Sequence, residues 1–157
     1  MVDFVMMNNG FTSLKSAELQ KIMGGVMLLT QRSPLHKLYF VTELYWQISP
    51  SIRLNQFRYY EDEYGNPLAF CNWAFLSEKN MSEILSGERD INKEDWNSGS
   101  NIFFPEMIAP FGHARTMIND LRRNIFLARK GERVCAIRGE VNKQCSSNKP
   151  KVQWFKI

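Results

Sequence analysis

The run FRYYEDEYGNPLAFCNWAF, residues 57–75, holds two aromatic segments, Phe57 to Glu61 and Leu68 to Phe75, on either side of Asp62-Glu63-Tyr64-Gly65-Asn66-Pro67. Aromatic residues suit a pleated surface, while Gly, Asn and Pro supply turn backbone, so this run predicts a β-hairpin. Towards the N-terminus the apolar spacing changes. Leu14, Ala17, Ile22, Val26 and Leu29 recur near helical spacing behind Thr12, a residue able to cap, and predict a first helix. Gly24-Gly25 inside it marks a place where another backbone can approach. After Ser33-Pro34, the residues Leu38, Val41, Leu44, Tyr45 and Ile48 repeat on one face as far as Ser49-Pro50. They predict a second helix that starts at His36 and stops at Pro50.

Beyond the hairpin, a short helix is expected over Asn80 to Leu85, a polar loop over Gly87 to Ser100 and an apolar strand over Ile102 to Ile108, made irregular by Pro105. Ala114, Met117, Ile118, Leu121, Ile125 and Phe126 give the strongest helical periodicity in the chain, with Gly131 just past its end. Val134 to Arg138 and Val152 to Ile157 complete the strands. Hairpins with flanking helices point to an α+β (mixed α/β) layer rather than a doubly wound dinucleotide fold.

The 157 residues, 44% hydrophobic and 23% charged, fit one domain over 1–157 with a continuous core; only residues 1–10 and Asn142 to Lys151 read as loosely ordered. The net charge of +4 comes from scattered Lys and Arg, with no run dense enough for a nucleic-acid arm. It suits an acidic carrier protein, a phosphate-bearing thioester or plain solubility. Three cysteines, Cys71, Cys135 and Cys145, form no C-x-x-C pair, and with two histidines they support neither a disulfide framework nor a metal site. No basic segment precedes an apolar run at the N-terminus, and the most apolar window, Gly24 to Leu29, is far too short to span a bilayer. The expectation is a soluble, cytoplasmic protein.

His36 follows a Ser-Pro break, where its ring can face a cleft and serve as a base; an ordinary helix-end histidine is the plainer alternative. Glu106 sits among Phe103, Phe104, Pro105, Met107 and Ile108, where an unpaired charge is costly, so it needs a partner. Orienting a histidine and pairing with Arg115 or Arg138 stand level on the residues alone. Ser33 can cap the helix or lie beside His36 as a site hydroxyl, the cap being the default. Asp95-Trp96-Asn97-Ser98-Gly99 and Ala109-Pro110-Phe111-Gly112 are turn-rich, and the second opens a helix whose free N–H groups can hold a phosphate or a carbonyl oxygen. His113 reads as a helix-start residue. No G-x-x-x-x-G-K, G-x-S-x-G or G-x-G-x-x-G occurs.

Four motifs in order, Ser33-Pro34-Leu35-His36, Pro67-Leu68-Ala69-Phe70-Cys71-Asn72-Trp73-Ala74, Asp95-Trp96-Asn97-Ser98-Gly99 and Ile108-Ala109-Pro110-Phe111-Gly112, resemble the RTX toxin-activating lysine acyltransferases, with Ala136-Ile137-Arg138 a weaker match. The resemblance runs from about Leu19 to the C-terminus. It implies a GNAT-like fold with a central, mostly antiparallel sheet flanked by helices. It implies transfer of a fatty acyl group from an acyl carrier protein thioester to internal lysines of a pore-forming protoxin, with no bound cofactor or metal. By resemblance His36 is the catalytic base or a transient acyl acceptor. Glu106, standing where the family has an aspartate, orients it, and a backbone donor near Gly112 would stabilise the oxyanion. Ser33 and Gln47, the latter at a family asparagine position, are accessory candidates. Met27-Leu28-Leu29 stands in place of a Trp-Leu-Trp, and the family's last helical segment has no counterpart.

The small subunit of siderophore-microcin maturation systems also resembles this family. That alternative implies a glycosylated catecholate siderophore joined to the C-terminus of a microcin precursor peptide, beside a larger partner subunit. A non-catalytic binding subunit is a third expectation. The final Val152 to Phe155 strand is an edge candidate for pairing in a homo- or hetero-oligomer.

Overall fold

The computed structural model describes residues 5–6, 16–138 and 151–157. Helix α1, Ser16–Arg32, buries Ile22, Gly25, Val26, Leu29 and Thr30, the i, i+3, i+4, i+7, i+8 stripe of a helix lying on a sheet. Glu18 in its first turn and Arg32 in its last match the helix dipole. The expected Thr12 cap lies outside the described residues. The chain then coils through a 3-10 turn, His36–Leu38, before α2, Val41–Arg53. Two expectations are corrected here. His36 belongs to that separate turn, and α2 starts at Val41, where Glu43 accepts from the Phe40 N–H at 3.0 Å. Nor does Pro50 end α2. The buried face is Leu44, Ile48 and Ile52, while Leu38, Val41 and Tyr45 are exposed, so packing on the sheet carries the helix through a residue that supplies no N–H.

The hairpin forms from β2, Phe57–Glu61, and β3, Pro67–Asn72, antiparallel, with a register shift at Tyr60/Glu61. β1, Val5–Met6, pairs with β2, so these two of the first ten residues are in the sheet. β4, Ala74–Leu76, follows after Trp73. The strands β5, Asn101–Phe104, and β6, Met107–Ile108, flank Pro105 and Glu106, and β7, Arg133–Arg138, and β8, Lys151–Lys156, close the list. Among the described residues two four-stranded sheets result, ordered β1-β2-β3-β6 and β4-β5-β7-β8, antiparallel except for β5 with β7. The α+β class therefore holds.

The expected single strands over 68–75 and 102–108 each divide between the two sheets, at Trp73 and at Pro105-Glu106. They stay side by side as they cross. Cys71 faces Met107 on one side of the seam and Ala74 faces Phe103 on the other, so Phe104 and Pro105 together stand opposite Trp73. Two residues against one is a β-bulge, and Pro105, with no N–H to donate, belongs at such a break.

Both faces of the first sheet are covered, which explains why β2 is buried at every position. Phe57, Tyr59 and Phe70 meet α1 and α2, whereas Tyr60, Ala69 and Cys71 meet α4, Ala114–Asp120. Arg58 also turns to α4, pairing Asp120 at 3.3 Å, and the Tyr60 hydroxyl donates to the same carboxylate at 2.7 Å. α4 continues as a π-helical turn, Leu121–Ile125, ending in a bond from the Phe126 N–H to the Leu121 carbonyl at 2.8 Å. That widened turn seats the Phe126 ring 5.3 Å from Trp73 and 6.1 Å from Phe104. The short helix α3, Glu78–Ser86, capped by Ser77, packs Ile84 on the second sheet. Among the described residues no helix is long and apolar enough to cross a membrane.

Candidate active site

The coil after α1 sets the first part of the site. The Lys37 N–H bonds to the Ser33 carbonyl at 3.1 Å and Leu38 N–H to Leu35 at 3.2 Å, so the chain folds back and brings Ser33 Oγ to 2.5 Å from His36 Nδ1. The cap assignment for Ser33 is thereby replaced: its hydroxyl meets the imidazole. The other ring nitrogen, Nε2, lies 2.9 Å from Glu106 Oε2. His36 and Glu106 are 8% and 3% exposed, so water competes little for this bond. With a carboxylate as acceptor, Nε2 carries the proton and Nδ1 presents its lone pair to Ser33. Glu106 thus takes the histidine, of the two partners left open by the sequence; among the described residues no ion pair joins it to Arg115.

Tyr39, passed over by the sequence reading, stands half-buried beside the pair. Its ring tilts against His36 at 5.3 Å. Burial first, then the Glu106 carboxylate to which the phenol hydrogen-bonds, and more distantly Glu43 and Asp90, hold its hydroxyl well above the usual tyrosine range, so it is a donor at any working pH. Asn72 was equally unassigned. A polar residue in an otherwise apolar strand signals a buried network, and its amide reaches both the carbonyl of Gln47 and the backbone of Glu106.

His36, Tyr39, Gln47 and Glu106 line a cleft of about 460 Å³, together with Ile84, Ile91 and residues of β5 to β8 and α4. The lining sets a few polar groups, His36, Glu106, Gln47, Asp90 and Gln153, among mainly apolar residues, a mixture that fits a ligand with a reacting head and a greasy tail. Gln47 lines it; Gly112 does not. Gly112 adopts φ +87° and its own N–H closes a turn onto the Ala109 carbonyl at 3.3 Å, so that donor points away from the chemistry. The Asp95-Trp96-Asn97-Ser98-Gly99 motif holds structure together. Asp95 takes a bidentate grip from Arg89 at 2.6 and 3.2 Å, Trp96 is 1% exposed, and a Cβ on Gly99 would stand 2.5 Å from the Ser77 backbone.

The sequence pattern of the RTX toxin acyltransferase family matches residues 15–156 of this chain. The chain belongs to that family. Among relatives of this acyltransferase, the lysine-acyltransferase RtxC of Vibrio cholerae serotype O1 is 55% identical over 145 residues, 92% of this chain and 95% of that protein. The leukotoxin-activating lysine-acyltransferase LtxC of Aggregatibacter actinomycetemcomitans is 34% identical over 66% of this chain, and a protein-lysine myristoyltransferase HlyC of Escherichia coli 35% identical over 69%. The matches cover 61% and 64% of those two longer proteins, against nearly all of RtxC.

Proposed function

We propose that this acyltransferase matures a secreted toxin by moving a fatty acyl group from an acyl carrier protein thioester to a lysine of the protoxin. The observation that carries this reading is the buried His36–Glu106 pair, 2.9 Å apart, in the wall of a mainly apolar cleft. Glu106 holds Nε2–H and so presents Nδ1 as the base. The lysine nitrogen attacks the thioester carbonyl, its proton passes to Nδ1 directly or through Ser33 Oγ, and the imidazolium formed is stabilised by Glu106. An amide C–N bond forms, the C–S bond breaks, and the imidazolium returns its proton to the departing thiolate, so the protein ends as it began. The apolar residues of the cleft wall take the acyl chain, contributing about 0.8 kcal/mol for each CH₂ it buries. Each relative's name describes lysine acylation, which favours an internal lysine over a peptide C-terminus as acceptor.

The test is the intact mass of the acceptor. Protoxin incubated with this protein and acyl carrier thioester should gain a fatty-acyl mass on an internal lysine, and His36→Ala should abolish the gain. A siderophore-sized gain on a microcin precursor incubated with glycosylated siderophore, with no gain on protoxin, would overturn the proposal in favour of the microcin reading. Full protoxin acylation by His36→Ala would remove the residue from the chemistry.

A further inference from the structure

The Glu106 backbone lies where a strand leaves one sheet for the other, at the bulge around Pro105, and both of its main-chain groups go to one residue of β3. The Asn72 Oδ1 accepts from the Glu106 N–H at 2.9 Å, and the Asn72 N–H donates to the Glu106 carbonyl at 3.1 Å. The same side chain turns its Nδ2 towards α2, donating to the Gln47 carbonyl at 3.0 Å and to Ser51 Oγ at 3.1 Å. Asn72 is 0% exposed. One buried amide therefore spans three elements: the end of β3, the carboxylate-bearing corner between β5 and β6, and the stretch of α2 where Pro50 supplies no N–H to the Trp46 carbonyl. Ser51 Oγ in turn donates to the Ile48 carbonyl at 2.7 Å, so the Asn72 contact is tied into the helix backbone.

From this geometry we infer that Asn72 is the positioning residue for the reaction: it fixes the Glu106 backbone against α2, so that the glutamate arm meets His36 Nε2 and Gln47 keeps its place on the cleft wall. A glutamate carries one more rotatable bond than an aspartate, so its carboxylate is well placed only if its backbone is held on both sides. The inference rests on the proposed roles of His36 and Glu106. It extends them to a group that touches no substrate. Its effect reaches the chemistry through distance, and displacing a reacting pair by an ångström costs on the order of 10²-fold in rate.

Asn72→Ala removes all three side-chain bonds, and Asn72→Ser keeps a small polar group with less void. Two readouts separate positioning from mere stability in folded, full-length protein: the split between kcat and KM for acyl transfer, and the ¹⁵N NMR signature of His36, assigned against His113. The expected result is a kcat reduced on the order of 10²-fold with KM nearly unchanged, together with loss of the single Nε2–H tautomer of His36, and a smaller loss for Ser than for Ala. Folded variants with wild-type kcat and an unchanged tautomer would overturn the inference, as would a failure of both to fold, which would make Asn72 a folding residue. The two levels fail differently: full activity in His36→Ala and Glu106→Gln would sink the catalytic reading itself, whereas inactive His36 and Glu106 variants beside fully active Asn72 variants would sink only this one.

Discussion

Gly25 of α1 lies directly against the phenol of Tyr59 on β2: a Cβ placed there would overlap the hydroxyl oxygen and stand 2.6 Å from Cζ and 2.8 Å from Cε2. The helix therefore rests on the sheet at a depth that only glycine permits, and α1 runs straight into the coil carrying Ser33 and His36. Gly24, its neighbour, faces open space with nothing within 4 Å.

The two glycines should respond oppositely. Gly25→Ala is expected to destabilise by about 2–3 kcal/mol through overpacking and to lower turnover, because lifting α1 draws His36 away from Glu106. Gly24→Ala should be neutral or stabilise by about 0.5–1 kcal/mol, the gain of a better helix former. Chemical denaturation of both variants tests this; equal losses at the two positions would contradict the packing account.

Shortening the acid tests its reach. Glu106→Asp withdraws the carboxylate by about 1.5 Å, one C–C bond, from a backbone that Asn72 holds in place. Turnover should fall on the order of 10- to 100-fold with KM little changed. Wild-type kcat in Glu106→Asp would show that the 2.9 Å contact is not needed.

Ser33 offers a choice of chemistry that one variant resolves. As an orienting and relaying hydroxyl it should be dispensable to within roughly tenfold, so Ser33→Ala keeps most activity, and the wild-type protein quenched in turnover carries no acyl mass on the peptide containing Ser33. Abolished activity together with a trapped acyl-Ser33 would make the serine the nucleophile.

Acid should loosen the loop beside the cleft. Burial, the largest single influence on Asp95, raises its pKa, but the Arg89 guanidinium and the Asn92 N–H outweigh it and hold the carboxyl below the ordinary aspartate value of 3.8. A group depressed in the folded state stabilises above its unfolded pKa, and that stability drains away as pH falls from there through the lower folded value. Asp95→Asn should cost about 1.5–3 kcal/mol at neutral pH, the worth of a charge-assisted bond, and flatten the acid limb of a plot of stability against pH. An unaltered acid limb in that variant would remove Asp95 as its source.

The buried thiols should be inert. Burial first, then Asp120, pushes the Cys71 thiol far up, and burial pushes Cys135 up to about 12, so thiolate is scarce at either site. Iodoacetamide should leave both unmodified in the native protein and label both in guanidinium, read by peptide mass. Rapid native labelling of Cys71 would mean that the first sheet and α4 part readily.

Local patterns carried a good deal of this. The apolar stripe of α1, the turn residues between β2 and β3, and the periodicity of Ala114 to Phe126 each report the preferences of a few adjacent residues, and each formed its element. The pairing of Ser33 with His36 is local too, since three residues in a tight coil bring their side chains together. Pro50 misled because a missing N–H is a local cost that burial of Ile48 and Ile52 overrides.

The 2.9 Å meeting of His36 with Glu106 is of another kind. Aromatic and apolar content marks 68–75 and 102–108 as strands but does not say which sheet each half joins, because that content is the same whatever the partner. The bulge opposite Trp73 sends both runs from one sheet to the other at the same level, turns Glu106 towards the coil after α1, and lets Asn72 grip its backbone. The sequence by itself determined the elements and the kinds of residue able to do chemistry. Which of them meet was left to tertiary pairing, since contacts between residues seventy positions apart depend on strand partners and helix depth that no short window of residues encodes.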